Sequence, residues 1–308
     1  MGSVDKILEN VNSVVVGKEN IVKLILTAML AEGHVLIEDV PGVGKTTFAN
    51  AFAKTFDCSF SRIQFTPDTM PGDVIGSSIY NFESHEFEYV PGAIMGNIIL
   101  ADEINRTSPK TQASMLEAME ERRVTVDGKG HELPYPFVVI ATQNPVMQRG
   151  TYYLPESQLD RFMMKLSVGY PDIRQSIQIV KNQIEGKTVK LMENVAGTEE
   201  WSELIKQAGE VAIKDELILY AAECIECTRN HEKVQLGASP RALLSWIKAA
   251  KSYAYVCGRG YVIPDDLKAL AYVVLCHRII LKQNTDNDDE EVRRIITEVL
   301  GKVKVPIG

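Results

Sequence analysis

The run Asp39-Val40-Pro41-Gly42-Val43-Gly44-Lys45-Thr46-Thr47 places two glycines, a lysine and two hydroxyls at the spacing that grips a triphosphate. Gly42 and Gly44 keep side chains clear, so that backbone N–H groups face anionic oxygens. Lys45 then reaches the β- and γ-phosphates and the Thr46 hydroxyl ligates Mg²⁺, with Pro41, Val43 and Thr47 completing the cradle. One position departs from the pattern G-x-x-x-x-G-K-[ST]: Asp39 stands where glycine is expected, at the end remote from the lysine. Asp tolerates left-handed backbone better than most residues, so the departure removes no phosphate-contacting group. A second cluster is Asn97-Ile98-Ile99-Leu100-Ala101-Asp102-Glu103, an apolar run ending in two carboxylates. Asp102 is placed to hold Mg²⁺ through its water shell. Glu103 is placed to orient the attacking water or take its proton. Asn144 follows a further apolar run, and its amide can position the same water if that run lies between the other two. The plainer use of Asn144-Pro145 is a turn that ends a strand.

These residues need a strand before the loop and a helix after it. Val35-Leu36-Ile37 supplies the strand and residues 48–53 the helix. Residues 60–65 alternate as a strand does, 97–102 and 137–142 read as buried strands, and 162–166 as a short fifth. Helical stretches are expected on either side of residues 14–18. Ser108-Pro109 starts a helix running to about residue 123, with Ala113, Leu116, Ala118 and Met119 inward. Small hairpins are expected around Glu83-Ser84-His85-Glu86, flanked by Tyr80, Phe82, Phe87 and Tyr89, and around Asp127-Gly128. Beyond Gly169-Tyr170-Pro171-Asp172 only helical periodicity is evident: 173–184, 201–208, 215–230, 240–257, 264–282 and 290–300. The expectation is an α/β domain over residues 1–170 and an all-α domain over 171–308.

Composition narrows the function. A net charge of −8 argues against duplex nucleic acid as an obligate partner. Five cysteines in a chain this large read as reduced thiols of a cytoplasmic protein. Cys224-Ile-Glu-Cys227 has no second pair to complete a zinc site, and both sulfurs are expected to face a core. No run reaches membrane-spanning length, and the start carries no signal-peptide core.

As a set, the phosphate loop, IILADEINR at 98–106, ATQNP at 141–145 and LDRF at 159–162 resemble an AAA+ ATPase of the MoxR type. GASPRA at 237–242, Asp265 to Leu270, and Cys276-His277-Arg278-Ile279 resemble its lid. The resemblance runs over roughly residues 5–300. Residues 66–97 are similar to the helix-2 insert, and 124–137 to the presensor hairpin, of magnesium-chelatase and helicase ATPases. It implies a five-stranded parallel sheet with the phosphate-loop strand central, followed by an all-α lid. It also implies a ring, usually a hexamer, with ATP and Mg²⁺ between subunits. Arg161 would be the finger that reaches a neighbour's γ-phosphate, with Arg106 and Arg149 as rivals. Arg241 would be the second sensor, carried at a helix start, and Val16 and Gly17 would border adenine. The expected function is chaperone-like remodelling of partner proteins, including partners with a von Willebrand factor A domain. The alternatives are a nucleic-acid motor, a magnesium-chelatase-like subunit and a switch that binds nucleotide without hydrolysis. The hairpin at 124–137, with Asp127, Lys129 and Glu132, is not basic and gives the motor little support.

Overall fold

The computed structural model describes residues 2–39, 44–144, 151–186, 188–283 and 288–306. Of the residues singled out above, Pro41, Gly42, Val43 and Arg149 lie outside the described residues. The chain packs into two units. The first is Met1–Lys23, His34–Arg161 and Leu166–Ser202; the second is Leu24–Gly33, Phe162–Lys165 and Glu203–Gly308.

The elements begin with α1 (Ser3–Asn12), α2 (Glu19–Leu30), β1 (Val35–Glu38), α3 (Lys45–Thr55) and β2 (Phe60–Gln64). There follow α4 (Pro71–Ile75), β3 (Gly76–Asn81), β4 (Glu86–Pro91), β5 (Ile98–Asp102) and α5 (Pro109–Glu121). Next come β6 (Arg123–Val126), β7 (Lys129–Glu132), β8 (Val138–Gln143), α6 (Glu156–Leu159), β9 (Met164–Leu166) and α7 (Ile173–Ile184). The rest is α8 (Thr198–Glu210), α9 (Asp215–Arg229), β10 (Val234–Leu236), α10 (Pro240–Val256), α11 (Pro264–Leu275), β11 (Ile280–Leu281) and α12 (Asp288–Lys302).

The sheet has five strands in the order β2-β5-β8-β1-β9. Strands β1, β5 and β8 are buried until their last residue, as parallel strands covered on both faces must be. The pairs β2–β5, β5–β8 and β8–β1 are parallel. The strand leading to Asn144 therefore does lie between the phosphate-loop strand and the carboxylate strand. It is also the middle strand, so β1 is interior but not central as the resemblance implied. In register, Gln64 pairs with Asp102, Ala101 with Ala141 and Glu38 with Gln143. The polar ends of four strands are thus brought to one edge, where open α/β sheets bind ligands.

Buried His34, just ahead of β1, ties the opposite end together. Its Nδ1 accepts the Val139 N–H at 3.0 Å, so Nε2 is the nitrogen that donates to Met119 O at 3.2 Å. Burial, with Arg122 adding repulsion, lowers its pKa to about 3 and keeps the ring neutral. Helix α5 starts as expected, with Ser108 Oγ accepting from Thr111 N at 3.4 Å. Its buried stripe is Thr111, Gln112, Met115, Leu116, Ala118 and Met119. Ala113 is exposed rather than inward, because at 3.6 residues per turn it falls opposite that stripe. Both expected hairpins form, β3–β4 and β6–β7. The second turns through Asp127 (φ 49°) and Gly128 (φ 75°), both left-handed as a two-residue hairpin turn requires.

The second unit is helical, with Trp246 fully buried and its indole N–H bonded to Leu267 O at 2.9 Å. Helix α11 ends at Leu275, short of the expected 282. Beyond it the buried Arg278 donates to Val274 O at 2.7 Å and Phe162 O at 2.8 Å, and β11 pairs antiparallel with β10. That two-stranded ribbon was not expected; three- and two-residue strands are too short to show a period of two. On α9, Cys224 is buried and Cys227 half-exposed, so only one sulfur faces the core as expected. None of the five cysteines is in a disulfide. Among the described residues no helix is long and apolar enough to cross a membrane.

Candidate active site

The loop after β1 delivers the chain into α3 through Gly44, whose φ of 86° is left-handed and open to glycine at little cost. Lys45, Thr46 and Thr47 form the first turn of α3, so the positive end of the helix dipole faces the same edge as the strand ends. Lys45 Nζ donates to Asp39 O at 2.5 Å. Burial lowers the Lys45 pKa from its ordinary value, while Asp39, Asp102, Glu103 and Glu38 pull the other way. An ammonium at a helix start, with carboxylates at the same sheet edge, can take up anionic oxygen and favour a cation beside it.

Asp102 closes β5, with Oδ1 accepting the Thr142 hydroxyl at 2.7 Å and Oδ2 accepting Arg62 Nη2 at 2.6 Å. The Glu103 N–H donates back to Thr142 Oγ1 at 2.8 Å. Glu103 itself is left-handed, at φ 56° and ψ 50°, a costly backbone for a side chain of this kind. That turn leaves its carboxylate accessible at the strand end. There Oε2 accepts Arg106 Nη1 at 2.9 Å and Gln64 Nε2 at 3.1 Å. Reasoning from sequence gave Thr142, Gln64 and Arg62 no role. Thr142 lay inside the quoted ATQNP run, and the alternation of β2 marked Arg62 and Gln64 as one face. Only the strand order shows that this face meets Asp102 and Glu103.

Asn144 directly follows β8, and its carbonyl accepts Asn105 Nδ2 at 3.2 Å. Gly17 has φ 67°, and a Cβ there would fall 2.2–2.6 Å from Gln175 side-chain atoms. Gln175 Nε2 donates to Gly17 O at 3.2 Å, while Lys18 Nζ reaches Val168 O at 2.7 Å. Gly17 and Lys18 are therefore backed by the segment after β9. Arg161 is held elsewhere: it donates to Leu116 O at 2.7 Å and pairs with Glu120 at 2.8 Å, both on α5. Its rival Arg106 is engaged by Glu103. Arg241 stands exposed in the first turn of α10, behind the Ser239 cap that accepts Ala242 N at 3.1 Å, in the second unit.

Asp39 has a role that the loop pattern hid. Its buried Oδ2 accepts Val168 N at 2.7 Å, Gly169 N at 2.6 Å and Ser167 Oγ at 3.2 Å, clamping the chain after β9 to the start of the phosphate loop. Asp39→Gly, which restores the glycine of the pattern, is expected to weaken the first unit by about 3 kcal/mol. Two backbone N–H groups and a hydroxyl lose a charged acceptor, each such bond being worth roughly 1.5–3 kcal/mol and not fully additive. Calorimetry should show a midpoint lower by about 6–12 °C, and Asp39→Asn, which keeps one acceptor oxygen, should fall between.

The donor set suits Mg²⁺. Thr46 and Asp102 offer hard oxygens, and Mg²⁺ in phosphate sites takes one or two carboxylates, its waters and the phosphates rather than a protein cage. Among the described residues no group of three or more His, Cys, Asp or Glu is arranged as such a cage.

Comparison with known proteins agrees with this geometry. Residues 34–164 match the family described as "ATPase family associated with various cellular activities (AAA)", and 226–299 match the AAA lid domain. The chain is 49% identical to the Bacillus subtilis protein YeaC, over 98% of this chain and 94% of that one. It is 38% identical to Chaperone MoxR1 of Mycobacterium tuberculosis, over 99% of this chain and 82% of the relative. A crystal structure of a Cytophaga hutchinsonii protein superimposes with a TM-score of 0.91 at 37% identity, covering 99% of this chain and 95% of that chain.

Proposed function

We propose, from the premise that this chain belongs to the MoxR-type AAA+ ATPases, that it hydrolyses Mg·ATP at the subunit interfaces of a ring and uses the cycle to remodel partner proteins. The observation that carries the reading is that Lys45, at the start of α3, and Asp102 and Glu103, at the end of β5, lie at one sheet edge, with Glu103 on a left-handed backbone. A protein that only held nucleotide would need the ammonium but not that carboxylate.

In this reading Pro41, Gly42, Val43, Gly44 and Thr47 belong to the phosphate-binding set and Lys45 binds the β- and γ-oxygens. Thr46 and Asp102 would hold Mg²⁺, which when bound would neutralise negative charge on the phosphates. Glu103 takes the proton of the attacking water once Gln64 and Arg106 release its carboxylate, and Asn144 orients that water. Val16 and Gly17 border the base. Arg161 enters a neighbour's site in the ring, a hexamer in our reading, and Arg241 answers the phosphate from the lid. The name of the mycobacterial relative, a chaperone, supports protein substrates. Partners bearing a von Willebrand factor A domain and a cytoplasmic setting belong to the same proposal. A nucleic-acid motor is disfavoured by the mixed charge of β6–β7, with Asp127 and Glu132 beside Lys129.

The test is phosphate release by the purified chain. Turnover should saturate with ATP, require Mg²⁺ and vanish on chelation. ATP left intact at every concentration would overturn the proposal.

A further inference from the structure

The β3–β4 hairpin carries a surface that the hydrolytic reading does not use. Tyr80 and Phe87 are directly paired across its strands. Their rings meet edge to face at 5.3 Å, and Phe82 meets Tyr80 at 5.2 Å. Phe82 is 82% exposed and Phe87 69% exposed, so the rings order one another instead of joining the core. Lower on the same face, Tyr89 stacks on His131 of β7 at 3.7 Å, and its hydroxyl donates to Ile75 O at 2.8 Å. The base of the hairpin is thus anchored and its aromatic tip presented to solvent.

The segment that forms the hairpin carries charge of one sign. Residues 66–97 contain Asp68, Asp73, Glu83, Glu86 and Glu88 and neither Lys nor Arg. The flanking arginines are already engaged, Arg62 by Asp102 and Arg106 by Glu103. Glu88 is drawn into the hairpin by Asn81 at 2.7 Å and Ser84 at 3.0 Å, while Glu83 and Glu86 are exposed beside the rings.

We infer that this hairpin tip is the surface that engages the protein substrate, and that it takes a cationic, apolar-rich segment. Apolar side chains cover Phe82 and Phe87, while Lys or Arg side chains lie over the ring faces and near Glu83 and Glu86. A phosphate backbone would meet like charge there. The inference rests on the remodelling reading for its consequence but is tested by binding alone.

The probe is a fluorescein-labelled synthetic peptide of alternating leucine and lysine, followed by anisotropy with the full chain. It should bind, and Phe82→Ala with Phe87→Ala should weaken it about tenfold, since exposed aromatic anchors dominate such contacts. Glu83→Gln with Glu86→Gln should weaken it about threefold at low salt and less at high salt. Both double variants should keep wild-type phosphate release, which shows that the fold is intact. A peptide with glutamate in place of lysine, or serine in place of leucine, should bind at least about tenfold more weakly. Equal binding of the glutamate peptide overturns the inference. So does a single-stranded oligonucleotide that binds through the same rings, or a self-association that the Phe variants abolish while the peptide fails to bind. Peptide binding by a chain that leaves ATP intact supports this surface and defeats the hydrolytic reading alone.

Discussion

Replacing Glu103 by Gln should cut Mg·ATP turnover by about 10²–10⁴-fold and leave ATP affinity nearly unchanged. The substitution keeps the shape of the side chain and an oxygen able to accept from Gln64 and Arg106, whose bonds to Oε2 are 3.1 and 2.9 Å. It removes the basicity. The Arg106 pair loses its ionic part, a small stability effect for a partly exposed pair. The left-handed backbone at Glu103 is set by the Thr142 bond to its N–H and is unaffected. In the proposed reading Glu103 does not bind phosphate, so a fluorescent ATP analogue should titrate as with wild type while single-turnover phosphate release collapses. Unchanged turnover would leave the carboxylate without a chemical role and favour a nucleotide switch. The stalled form is also the one in which a bound protein substrate is most readily identified.

The parts of this site that could be read in advance are those whose chemistry is local in sequence. The Gly-Lys-Thr turn, the apolar run ending in Asp102-Glu103 and the left-handed Asp127-Gly128 hairpin turn each state their geometry within a few residues. Periodicity identified the buried strands for the same reason: burial on both faces demands uninterrupted apolar residues. What escaped was decided by strand order. Gln64 contacts Glu103 only because β5 lies next to β2 with Gln64 in register with Asp102. Thr142 bridges Asp102 and Glu103 only because β8 flanks β5.

Asp39 shows the same limit from another side. Judged against a loop pattern, it is a missing glycine whose only excuse is a tolerant backbone. Its purpose lies in Ser167, Val168 and Gly169, more than a hundred residues on, and no local signal links them. The end of α11 was misjudged for a related reason. Cys276, His277, Arg278 and Ile279 continue an apolar period, but the Arg278 guanidinium is needed at the Val274 and Phe162 carbonyls. Buried polar groups must be satisfied, and that requirement outweighs a weak helical preference.

Arg161 is the residue whose proposed role its own subunit supports least, and a mixing experiment decides it. Within one chain its guanidinium is turned to α5, bonded to Leu116 O and Glu120, with Nε buried and unpartnered among the described residues. A finger that served its own site would face Asp102 and Glu103. One that serves a neighbour is expected to rest at an edge until a second copy arrives. Arg161→Ala should lower turnover by about 10³–10⁵-fold, or roughly 4–7 kcal/mol of transition-state stabilisation. Lys45→Ala should be as inactive, through loss of phosphate binding. Mixed in equal amounts, the two inactive proteins should regain about a quarter of wild-type activity. That is the share of interfaces at which an intact Lys45 faces an intact Arg161 in a randomly assembled ring. No recovery would place Arg161 in cis, and an Arg161→Ala chain that keeps its turnover would pass the finger to Arg106 or Arg149.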